Sequence, residues 1–162
     1  MAIQSLQDLY LHTLKDIYFA ENAILKALPA MIEKSSAQDV KQLLTMHLDE
    51  TRGQVQHLEA VFKMLGEQAS GEECPAIEGI IEEAEDLMGE IQDPDTRDAA
   101  IVAAAQAVEH YEITRYGTLV SWSQILGHRD AIQHLTAILD QEKAADKKLT
   151  AIAEAKVNQK AA

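Results

Sequence analysis

Residues 99–119, AAIVAAAQAVEHYEITRYGTL, place two carboxylates where a helical core demands apolar side chains. The seam of this stretch runs Val102, Ala105, Glu109, Glu112, Tyr116, Leu119, at the spacing that lines one face of an α-helix. An ionised carboxylate in an apolar interior costs several kcal/mol or more. Each must therefore be protonated, paired or bound to a cation. That constraint shapes the reading of the rest of the chain, because the same pattern recurs in three further segments.

A capping box at residues 5–8 opens the first helix, whose seam is Tyr10, Leu14, Ile17, Glu21, Ile24, Leu28, Met31. Pro29 is expected to kink its last turn or end it early. After a turn and a second cap at residues 35–39, the next helix folds back antiparallel. Its seam is Leu43, His47, Glu50, Gln54, Leu58, Val61, Leu65. Residues 66–94 form a long crossover, holding a short helix with Pro75 at its start. Asp93 and Pro94 open the third long helix, which Gly127 closes. The last helix carries Ile132, Leu135, Leu139, Glu142, Asp146, Leu149, Ala153, and the tail VNQKAA is expected to fray. The helices thus span about 5–34, 37–66, 76–89, 95–126 and 129–157, within one domain covering residues 1–162.

At a rise of about 1.5 Å per residue, Glu21 and Glu50 stand level across the first hairpin, and Glu112 and Glu142 across the second. Two antiparallel pairs joined by one long crossover make an all-α, ferritin-like four-helix bundle, a fold whose core metal sites are built from inward carboxylates. The halves read as a weak duplication, Glu21 and Glu50 answering Glu109 and Glu142.

Glu21, Glu50, Glu109, Glu112, Glu142 and Asp146 would bring about six negative charges together, raising several pKa values unless cations intervene. Two divalent ions supply four positive charges and two trivalent ions six, so a pair of redox metals fits both oxidation states. Carboxylates can bridge such a pair at a separation of about 3.5–4 Å. His47, one turn before Glu50 on the same face, is either a metal ligand or a hydrogen-bond partner of a carboxylate. Gln54 is read as a hydrogen-bond partner, and Tyr10 and Tyr116 as core residues. For Asp146, an interhelical hydrogen bond to a protonated acid is the alternative to metal binding. His12, His57, His110, His128 and His134 fall off the seams or near helix ends and are expected to face solvent.

A net charge of −13 argues against direct binding to nucleic acid or an anionic membrane. Cys74 is the single cysteine, which excludes an internal disulfide or a Cys-built metal cluster and is read as structural. No basic segment followed by an apolar core opens the chain, and no run of about 18 apolar residues occurs. A soluble, cytoplasmic protein is expected.

HLDETRGQ (47–54), CPAIEGIIEEA (74–84), AAQAVEHYEITRYGTL (104–119) and LDQEKAADKKLT (139–150) closely resemble the bacterial YciE/YciF stress-protein family, along nearly the whole chain. The resemblance implies a ferritin-like bundle with a short extra helix, a homodimer, a role in stress responses and a two-metal centre related to that of rubrerythrins. Glu109-x-x-Glu112 looks like the rubrerythrin third-helix motif. The departures are Gly53 and Ala145, which stand where such proteins carry Glu-x-x-His histidines. An oxygen-richer ligand set is harder, which makes manganese a rival to iron. Peroxide or oxygen is the expected small substrate, and without a Cys-rich module any peroxidase activity needs an external reductant. The competing readings are a metal-binding protein without turnover and a structural module whose core acids are held protonated.

Overall fold

A computed structural model describes residues 2–162. Helix α1 (Leu6–Lys34) starts where Ser5 Oγ accepts a hydrogen bond from the Asp8 N–H at 3.1 Å. Pro29 does not end it. The ring lies on the exposed side of the helix, where water can replace the missing N–H bond, and α1 continues to Lys34.

The turn into α2 (Gln38–Met64) departs from the expected local cap, since Ala37 occupies the capping position and offers no side-chain acceptor. The buried carboxylate of Asp98, from a distant helix, accepts instead from the Ser36 and Ala37 N–H groups, both at 2.7 Å. Two charge-assisted bonds thereby satisfy the start of α2 and tie the first hairpin to the second.

Helix α3 (Pro75–Glu90) begins with Pro75 and lies across α1 and α4, burying Ile77, Ala84 and Met88. Helix α4 (Pro94–Leu126) is capped by Asp93, which accepts from the Thr96 N–H at 2.8 Å. Gly127 ends it in the left-handed region, φ 78°, where a side chain would be strained. Helix α5 (Arg129–Ile152) returns alongside α2 and α4. The tail is not frayed: a π-helical turn (Ala153–Val157) and the short α6 (Asn158–Ala161) follow, with Ala153 and Val157 buried.

Helices α1, α2, α5 and α4 thus pack in a ring, with α3 outside against α1 and α4. It is an all-helical bundle with one long crossover. Apolar layers fill it on both sides of a polar middle, from Tyr10, Phe62 and Leu119 to Met31, Val40 and Leu149. Among the described residues, no helix is long and apolar enough to cross a membrane.

Candidate metal centre

Four helices deliver acids or histidine to the polar middle. Glu21 comes from α1, His47 from α2, Glu109 and Glu112 from α4 and Glu142 from α5, all of them buried. His47, Glu109, Glu112 and Glu142 each offer a ligand atom, and these atoms lie within 4.8 Å of one another. This cluster can hold a metal ion. Glu21 joins it through contact with Glu112 and through the charge of Glu142. The Tyr116 hydroxyl donates to Glu21 Oε1. Gln54 Nε2 donates to Glu142 Oε1 and also to Gln141 Oε1, the latter at 3.1 Å. His47 Nδ1 lies 3.4 Å from Glu109 Oε1, near enough for an ion pair but without hydrogen-bond geometry.

Partner accounting singles the cluster out. Glu21 Oε2, His47 Nδ1, Gln54 Oε1, Glu109 Oε2, both oxygens of Glu112 and Glu142 Oε2 are buried with no hydrogen-bond partner. Arg115 Nε is the remaining such atom among the described residues, and it stands 3.6 Å from Asp16. Buried polar atoms are nearly always satisfied, so such a concentration of bare oxygens calls for either shared protons or a cation. Hard oxygen donors with one imidazole suit iron, manganese or a similar ion.

The electrostatics agree. Burial, reinforced by the Glu142 charge, pushes Glu21 up to about 8. Burial pushes Glu109 up to about 12, with Glu142, Glu21 and Asp146 adding to it. Glu112 is raised well above the carboxylate range, by burial first and then by Glu142 and Glu21. Burial lowers His47 against the pull of Glu142 and Glu50, which favours the neutral imidazole that a metal would need.

Glu50 and Asp146 stand at the edges. The buried face of α2 reads Val40, Leu44, His47, Thr51, Gln54, Leu58, Val61, so Thr51 takes the inward position that the sequence seam gives to Glu50. Glu50 is half-buried, close enough to His47 for its charge to be felt there. On α5, Ala145 faces inward in place of Asp146, which is half-buried and bonded to Gln106 at 3.3 Å and His110 at 3.1 Å. The two halves are therefore unequal: Glu142 is fully buried, and its counterpart Glu50 is not. Gln54 is a hydrogen-bond partner, as its position suggests, yet its free carbonyl oxygen also makes it a candidate ligand.

Outside the cluster, His57 and His134 are half-buried, not simply solvent-facing, with their Nδ1 atoms 2.7 Å apart across α2 and α5. Tyr10 is bonded to Ser123 at 2.8 Å in the core. Cys74 is buried, 2.9 Å from the Tyr111 hydroxyl, and burial raises its thiol pKa, which fits a structural residue.

The family described as a domain of unknown function, DUF892, matches residues 5–162. Protein YciF of Escherichia coli K12 is 39% identical over 162 residues, covering 99% of this chain and 98% of that protein. The crystal structure of that E. coli stress protein superposes with a TM-score of 0.92, covering 96% of this chain and 99% of that one. YcfI of Rhodopseudomonas palustris, a proposed structural protein, is 56% identical with a TM-score of 0.90, covering 91% of this chain and 94% of that one.

Proposed function

The chain belongs to the DUF892 family, and from that premise we propose that it binds a pair of redox metal ions, iron or manganese, and serves in stress defence. The observation that carries this reading is the set of partnerless buried oxygens converging from α1, α4 and α5 on His47 of α2. Ionised, the fully buried Glu21, Glu109, Glu112 and Glu142 balance two divalent ions. The half-buried Glu50 and Asp146 supply the further charge that a trivalent pair needs.

Bound redox ions would supply electrons to a small oxygen species, peroxide or dioxygen. The chain's own residues do the rest. Tyr116 fixes one oxygen of Glu21 and leaves the other free to bind, while Gln54 does the same for Glu142. Apolar layers above and below exclude water and strengthen every charge interaction inside.

A structural role, with the acids protonated, is the second reading, suggested by the proposed role of the R. palustris relative and by the raised pKa values. Protonation would let Glu21 and Glu112, and Glu109 and Glu142, share hydrogen bonds, but it leaves His47 Nδ1 and Gln54 Oε1 without partners. The metal reading accounts for them.

Chelator-treated protein titrated with manganese(II) under electron paramagnetic resonance tests the proposal. Uptake of two ions per chain is expected, abolished in Glu109→Leu. A protein that takes up neither manganese nor iron overturns it.

A further inference from the structure

A cavity of about 20 Å³ lies between α1, α3 and α4, with His47 of α2 in its wall. Its wall includes Ile24, Met31, Ile81, Met88 and Val108, and the small side chains of Ala84 and Ala105 leave the space open. Among the described residues, its ionisable neighbours are Glu85 and His47. Glu85, exposed on α3, marks the outer end, where Ala27, Ile81 and Glu85 are shared with the open groove between α1 and α3. His47 joins the cavity to the cluster; it is 6% exposed, its Nδ1 has no partner, and Glu109 is 3.4 Å away.

We propose that this cavity is the entry by which dioxygen reaches the metal cluster, a path closed to a polar oxidant such as peroxide. The space holds one or two solvent-sized molecules, and apolar cavities of this kind stay dry while accepting apolar guests. Dioxygen loses little on leaving water. Hydrogen peroxide would surrender its hydrogen bonds to a wall that returns none, at a cost of several kcal/mol. On the α2 and α5 side, an open polar pocket at Asp49, Glu50 and Gln141 adjoins, at Met46 and Glu50, a second narrow space that touches His47 and Glu109. Dioxygen reaching an iron(II)-loaded site takes one electron from each of two ions and two protons from water, and leaves as hydrogen peroxide, the ions ending as iron(III).

The delivery of dioxygen to a metal rests on the metal reading; the existence of the cavity does not, and the experiment separates them. Crystals of metal-free protein under xenon should show xenon against Ile24, Ala84 and Val108, and Ala84→Leu should remove it. Ala27→Leu, at the mouth, serves if the first variant does not fold. In iron(II)-loaded protein, the same variant should slow oxidation by dioxygen about tenfold, while oxidation by added peroxide stays unchanged. Absence of xenon from the wild-type cavity, or equal dioxygen rates in variant and wild type, overturns the inference. Failure to load iron overturns the metal reading and the dioxygen delivery with it, leaving the xenon result to judge the cavity alone.

Discussion

Replacing Glu21 by Gln keeps the shape and the Tyr116 bond but removes a group that titrates between about 4.5 unfolded and about 8 folded. In metal-free protein the sign follows from proton binding. Below the unfolded value both states hold the proton and nothing is lost. As pH rises, the unfolded chain releases it while the folded chain retains it, so stability falls until Glu21 itself ionises near 8. At pH 7 the penalty reaches up to about 3 kcal/mol, at about 1.4 kcal/mol per pH unit. Glu21→Gln escapes it. The metal-free variant should therefore melt about 6–12 °C above wild type at pH 7, with the gain shrinking towards zero near pH 4.5. With manganese(II) at about a hundred times its dissociation constant, wild type gains roughly 2.7 kcal/mol, and the variant recovers far less of it. Thermal melts at both pH values, with chelator or metal, measure all four terms. A variant offset of the same size at both pH values refutes the burial argument.

Tyr116→Phe strands Glu21 Oε1 as well as Oε2, and should cost metal-free protein about 1–3 kcal/mol in urea denaturation. Because that hydroxyl lowers the Glu21 pKa, the Glu21-dependent loss of stability should extend to higher pH. Asp98→Ala removes both bonds at the start of α2 and should cost about 2–4 kcal/mol, equally with and without metal. Metal affinity should rise between pH 5 and 8, as binding displaces the protons that burial holds on Glu21 and Glu109; calorimetry in buffers of different ionisation enthalpy reads the protons released. We propose a homodimer, for which sedimentation equilibrium should give twice the mass of the chain.

The bundle, its crossover and its acid-bearing helices were legible in the sequence because apolar residues recur at helical spacing and acids interrupt them at matching depths. Glu21, Glu109, Glu112 and Glu142 are core residues on that basis. Spacing alone does not decide between neighbours one position apart. From His47, steps of three then four select Glu50, and steps of four then three select Thr51; both reach Gln54. Threonine is small and buries readily, with its hydroxyl bonded back to the His47 carbonyl, so packing favours it and leaves Glu50 on the flank. Ala145 displaces Asp146 for the same reason of size. Asp98 was invisible because its partners, the N–H groups of residues 36 and 37, lie some sixty positions away and carry no side-chain signature.

The most direct test of the central claim is a crystal grown with manganese(II), with anomalous differences measured at the manganese edge. Two peaks about 3.5–4 Å apart, bounded by Glu21, His47, Glu109, Glu112 and Glu142, are predicted. A map with no peak among these side chains would contradict the account.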